Sequence, residues 1–100
     1  MVNEINLENI IAEGALIIDV RTVGEYTNGH ISGSLNVPLS DMEDAMSWLI
    51  KDVPIVVVCE SGNRSAQAKN ILEINGYTKV YNGGSWSNLG SIKAGGCPIK

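Results

Sequence analysis

The chain has 100 residues, 44% of them hydrophobic, with 7 basic against 11 acidic side chains and a net charge of −4. That length makes residues 1–100 one domain, large enough to bury a core without staples. The acidic balance argues against nucleic acid as the main partner, and two cysteines (Cys59, Cys97) with one histidine (His30) make neither a disulfide framework nor a metal-ligand set.

Met1 to Ile5 lacks the basic start and apolar run of a leader, and no apolar run approaches the ~20 residues of a membrane helix. The expectation is a cytoplasmic protein with no membrane partner, unless a leader has been removed. Ile5 is predicted in a short edge strand. Asn6 is placed to cap a helix whose Leu7, Ile10 and Ile11 share one face, ending at Gly14. Ala15 to Val20 is an apolar run of the kind buried on both faces of a parallel sheet, and Asp19-Val20-Arg21 gives it a polar tail. Thr22-Val23-Gly24-Glu25 has the form of a capping box, with Gly29 as the stop.

His30 to Pro38 reads as loop around a short strand, Leu35-Asn36-Val37. Ser40-Asp41-Met42-Glu43 repeats the capping-box pattern. Behind it Met42, Ala45, Met46, Leu49 and Ile50 form a helical stripe, read as core packing rather than a partner-binding face. Asp52-Val53-Pro54 ends that helix.

Ile55-Val56-Val57-Val58 is the second both-face strand, and it runs into Cys59-Glu60-Ser61-Gly62-Asn63-Arg64-Ser65. After this the apolar spacing becomes helical, at Ala68, Ile71 and Leu72, with Gly76 placed to close the helix. Cys59 therefore opens a tight turn from a buried strand into a helix. The first helical turn has unpartnered N–H groups and a partial positive charge. Consecutive amides there make an anion-binding concavity, and a thiol placed in it is favoured as thiolate. Gly62 lets the backbone bend, and Arg64 adds a permanent positive charge. Lys79-Val80-Tyr81 is predicted as a last strand, Asn82-Gly83-Gly84 as a turn, and Ser85 as the cap of a short helical piece holding Trp86 and Leu89.

Strands alternating with helices imply an α/β fold, a parallel sheet with helices on both faces, in which ligands bind beyond the carboxyl ends of the strands. Asp19-Val20-Arg21, the cysteine turn and Asn82-Gly83-Gly84 all sit at such ends.

These residues also carry a resemblance. Asp19-Val20-Arg21, Glu25-Tyr26, Gly29-His30-Ile31, Gly33-Ser34, Asn36 and Pro38 resemble the first signature of the rhodanese family. Cys59-x-x-Gly62-x-Arg64-Ser65 resembles its active-site loop, and Tyr81-Asn82-Gly83-Gly84 its late double-glycine turn. The likeness implies a rhodanese-like fold of about five parallel strands, and sulfur transfer through a cysteine persulfide with no cofactor. The implied partners are a small-molecule sulfur donor, thiosulfate or a persulfide, and an acceptor: cyanide, a small thiol or a protein thiol. Two features depart from the pattern. Asn88 stands where a tryptophan often follows the double glycine, with Trp86 early, and Glu60 and Ser61 stand where thiosulfate-preferring tandem-domain members carry basic residues.

In the implied reaction Cys59 is the nucleophile, and the loop Glu60, Ser61, Gly62, Asn63, Arg64 and Ser65 holds the transferred sulfur. Asp19, Arg21, Glu25, Gly83 and Gly84 support it. Each role has a plainer alternative. Cys59 could be an inert buried thiol, and Arg64 could bind donor or brace the loop. Asp19 and Arg21 more naturally pair to hold loops, with Glu25 as a partner. Glu60 could tune donor choice or be merely solvated. His30 reads as structural, and Cys97 as incidental rather than a resolving thiol. The rival functions are a cysteine-dependent phosphatase or arsenate reductase and a non-catalytic binding module. The C-x4-R spacing is one residue shorter than in the related phosphatases, and binding modules of this type typically lack the cysteine. The catalytic reading requires main-chain amides aimed at Cys59 and a thiol open to solvent beneath a cavity.

Overall fold

Ile55–Cys59 forms strand β3, and all five of its residues are buried. Its β-branched side chains alternate across the pleat, so the strand feeds two cores at once. Ile55, Val57 and Cys59 pack with Ile18, Met42, Leu49, Leu72 and Tyr77 on one face. Val56 and Val58 pack with Ile11, Ile17 and Ile31 on the other. A computed structural model of the chain describes residues 7–89. The predicted strand at Ile5, the cap at Asn6 and the role of Cys97 lie outside those residues.

Four parallel strands make the described sheet, in the order β2-β1-β3-β4. They are β1 (Leu16–Asp19), β2 (Leu35–Asn36), β3 and β4 (Val80–Ser85). Residues from helices α3 (Met42–Ala45) and α4 (Asn63–Ile74) fill the first core, and residues from α1 (Leu7–Ala12) the second. The architecture is the α/β sheet with helices on both faces that the sequence predicts, with four strands among the described residues where the resemblance implies about five.

Two helix ends follow the local chemistry read from the sequence. Thr22 caps α2 (Val23–Thr27): its side chain accepts from the Glu25 N–H while the Glu25 carboxylate accepts from the Thr22 N–H. Helix α4 ends at Gly76, whose φ of +95° is left-handed backbone. There Tyr77 N–H donates to Leu72 O at 3.0 Å and Gly76 N–H to Glu73 O at 3.1 Å, the paired bonds that close a Schellman end.

Two expectations are corrected. The capping box at Ser40 does not form. Pro38 leads into a 3-10 turn, Leu39–Asp41, in which Asp41 N–H donates to Pro38 O, and Asp41 makes no side-chain cap bond. The helix behind it is only Met42–Ala45. Met46 and Ser47 donate to carbonyls three residues back, and Ser47 Oγ takes the Asp44 carbonyl. This tightening advances the chain, so Met42, Ala45 and Leu49 stay buried but Ile50 is turned out to 55% exposure.

The second correction concerns Asn82-Gly83-Gly84, which is not a turn. These residues lie inside β4, where Asn82 pairs with Val57 and Gly84 with Val58. Gly83 is the extra residue of a β-bulge, a deformation that glycine tolerates.

Candidate active site

The register of the parallel sheet puts Asp19 beside Val58 and Cys59 beside Ser85. The three polar segments singled out in the sequence therefore meet at one sheet edge. Gly62 has φ of +99°, a left-handed conformation that L side chains rarely adopt, and it is the cap residue of α4. That bend turns the loop amides back toward β3. Gly62 N–H lies 2.9 Å from Cys59 Sγ and Ser65 N–H 3.4 Å from it. The thiol also meets Ser65 Oγ at 3.5 Å. Burial, the largest influence on Cys59, raises its pKa. The Ser65 hydroxyl and the amides of Ser65, Gly62 and Ser61 together outweigh it, and the thiol ends below its ordinary value.

Around this floor runs a ring of paired charges. Arg21, 3% exposed, donates to Asp19 at 2.8 Å and to the Gly29 carbonyl at 2.6 Å, while Asn36 Nδ2 donates to the Asp19 and Arg21 carbonyls. Arg64 binds Glu25 through two nitrogens, at 2.8 and 3.1 Å. That bond, with the Thr22 N–H, holds the Glu25 carboxyl at about 2. Glu60 is not merely solvated. It sits 3.5 Å from Arg21 and accepts from the indole N–H of Trp86 at 3.2 Å, and the Arg21 guanidinium lies over the Trp86 ring at 4.6 Å. Three carboxylates thus surround two guanidinium groups.

The residues proposed from sequence divide clearly. Ser61, Gly62 and Ser65 face the sulfur through their amides, whereas Glu60 turns aside to Arg21 and Trp86. Asn63 is exposed at the start of α4. Asp19 and Arg21 pair with each other, but Glu25 joins Arg64 rather than either of them. Gly83 forms the bulge, and Gly84, with φ of +76°, donates its N–H to Asn82 Oδ1 at 2.9 Å. His30 stacks on Tyr26 at 3.7 Å, away from the sulfur's bonding partners, as a structural residue would. The expectation of a thiol open to solvent is corrected: Cys59 has 0% exposure. Its loop neighbours Glu60, Ser61 and Asn63 are exposed. The two described cavities, of about 390 and 500 Å3, are lined by other residues, the first by Asn36 and Trp48 among others and the second by Tyr81 and Asn82.

Sequence reasoning placed Asn82 at this sheet edge but gave its side chain no role, and it missed Trp86 as a member of the site. Asn82 Oδ1 accepts from the Ser65 hydroxyl at 2.7 Å, and its Nδ2 donates to the Gly62 carbonyl at 3.3 Å. The available signal was a polar residue at the carboxyl end of a strand beside the cysteine strand.

The family model for the Rhodanese-like domain matches residues 4–88. The chain belongs to the rhodanese family. It is 39% identical over 82 residues to the uncharacterized protein YqhL of Bacillus subtilis, covering 80% of this chain and 65% of that protein. It is 35% identical over 81 residues to the thiosulfate sulfurtransferase PspE of Escherichia coli, covering 79% and 78%. Among solved structures it resembles the human single-domain sulfurtransferase TSTD1, with a TM-score of 0.76 and 26% identity over 88% of this chain and 92% of that one. The Cys59 loop is thus placed within a family whose named relatives include sulfurtransferases.

Proposed function

We propose that this rhodanese domain, as a single unit, moves a sulfane sulfur from a small-molecule donor to a thiophilic acceptor through a persulfide on Cys59. The carrying observation is the pair of amides, Gly62 N–H and Ser65 N–H, directed at Cys59 Sγ. The thiolate attacks the outer sulfur of thiosulfate or a persulfide. The donor's S–S bond breaks, and sulfite or a thiolate leaves with the electron pair. The new outer sulfur carries the negative charge, which the loop amides stabilise. An acceptor, cyanide or a thiol of a small molecule or protein, then attacks that sulfur and returns the Cys59 thiolate. Of the two requirements set by the sequence, the aimed amides are met and the open thiol is not: Cys59 has no exposed surface, so this reading requires the loop side chains to part before a donor reaches it.

The arginine supports this reading over phosphate chemistry. Arg64 is paired through both terminal nitrogens with Glu25, a bond that braces the loop and that a phosphoryl group would have to compete with.

Mass spectrometry after incubation with thiosulfate or a small persulfide tests the reading. One added sulfur on Cys59 is expected, removed by cyanide and missing in Cys59→Ser. Release of phosphate from an aryl ester with no sulfur loading overturns it.

A further inference from the structure

The Ser65 hydroxyl is wholly buried and has one proton within reach of three acceptors. Asn82 Oδ1 lies at 2.7 Å, the Gly62 carbonyl at 3.1 Å and Cys59 Sγ at 3.5 Å. The orientation of the Asn82 amide is dictated by main-chain groups with a single role each. The Gly84 N–H can only donate, so it meets Oδ1; the Gly62 carbonyl can only accept, so it meets Nδ2. Oδ1 is therefore an acceptor for Ser65. While Ser65 donates to Asn82, its lone pairs face Cys59 and receive the thiol proton. When Cys59 ionises, the same hydroxyl must turn to donate to the sulfur, and Asn82 Oδ1, on an exposed side chain, keeps the Gly84 N–H and turns its freed lone pair to solvent.

We propose that Asn82 is a positioning residue that steers the Ser65 proton, holding it while Cys59 is neutral and releasing it to the sulfur once that sulfur is charged. This deepens the sulfurtransferase reading and rests on it for the role of Cys59. In the persulfide the inner sulfur is again neutral, so the hydroxyl returns to Asn82. The hydroxyl proton thus answers the charge on the inner sulfur alone and never leaves oxygen, while the outer sulfur's charge falls to the loop amides. The bulge at Gly83 serves this arrangement, because it lets Asn82 and the Gly84 N–H meet on the side of the loop. The charged groups around the sulfur are Arg64 of α4 with Glu25 of α2, and Asp19 and Arg21 after β1 with Glu60 of the loop. Substitution at 82 or 65 alters none of them.

The test is titration of Cys59 by the ultraviolet absorbance of its thiolate, in a Cys97→Ser background so that one thiol reports. Asn82→Ala is expected to lower the midpoint by roughly half to one pH unit, since it removes the nearest competitor for the proton and leaves the sulfur to compete only with the Gly62 carbonyl at 3.1 Å. Asn82→Asp, nearly isosteric, is expected to raise it, because a carboxylate holds the proton harder and adds a like charge. Ser65→Ala is expected to raise it and to abolish the effect of Asn82→Ala. If both Asn82 variants move the midpoint in the same direction, or the Asn82→Ala shift survives in Ser65→Ala, Asn82 merely braces the loop and the proposal is overturned. The titration needs no sulfur donor, so failure of sulfur loading and failure of this proposal are separate results.

Discussion

Glu60 decides how the mouth of the site looks to an anion. Each arginine there already has a carboxylate partner, and Arg21 has two, Asp19 and Glu60. A doubly negative donor approaching an ionised Cys59 meets no uncommitted cation among these groups, and like charges repel. Glu60→Gln removes one carboxylate and keeps the bond to Trp86. Its kcat/KM with thiosulfate is expected to rise several-fold more than with a persulfide of zero net charge, and raised salt is expected to narrow the gap. Equal gains with both donors would show that Glu60 acts on the loop and not on donor charge. Glu25 gives a second residue-scale prediction. Its folded pKa, about 2, lies below the ordinary 4.5. Its contribution to stability is therefore complete above about pH 4.5 and is lost as pH falls toward 2. Acid unfolding followed by circular dichroism is expected to lose part of its slope over that window in Glu25→Gln. The effect is modest, because the pair with Arg64 is partly exposed.

The turn from β3 into α4 was legible because every step in it has one local cause: an apolar run, a cysteine, a glycine able to reverse φ, then helical spacing. Gly62→Ala tests the third step. At φ of +99° an alanine is strained by about 1–3 kcal/mol, and the Gly62 amide that faces the sulfur shifts with it. Urea denaturation is expected to show the loss in stability, and iodoacetamide titration a less reactive Cys59. The capping box at Thr22 was legible for the same reason, since its two bonds lie within four residues. The box at Ser40 was not. Pro38 had already committed the chain to a 3-10 turn, and the side chain that would cap was absorbed before the helix began. Asn82-Gly83-Gly84 misled in the other direction. Two glycines read as a turn when only local preference is weighed, but pairing with β3 carries the strand through them. Propensity gave way to a tertiary partner that the segment does not contain.

For the whole molecule, the readable quantity was the unbroken apolar run along each of β1 and β3, buried on both faces, which set a parallel sheet between two cores. Leu72→Ala on the α4 face and Ile17→Ala on the α1 face each remove a fully buried side chain, at an expected cost of about 2–5 kcal/mol in chemical denaturation. A loss well under 1 kcal/mol at either site would mean that face is not a packed core. The Asp19–Arg21 pair, two residues apart, was readable; the partners of Arg64 and Glu60 were not, because Arg64 and Glu25 stand 39 residues apart and Trp86 and Glu60 26 apart. Only the sheet register brings them together. Trp86 carries a consequence for observation. Its indole touches both Arg21 and Glu60, the residue next to Cys59, so its emission is a built-in optical reporter of the loop. Loading and unloading the sulfur is expected to change the colour and intensity of that fluorescence in real time. Trp86→Phe would leave only the half-exposed Trp48, whose signal stays flat.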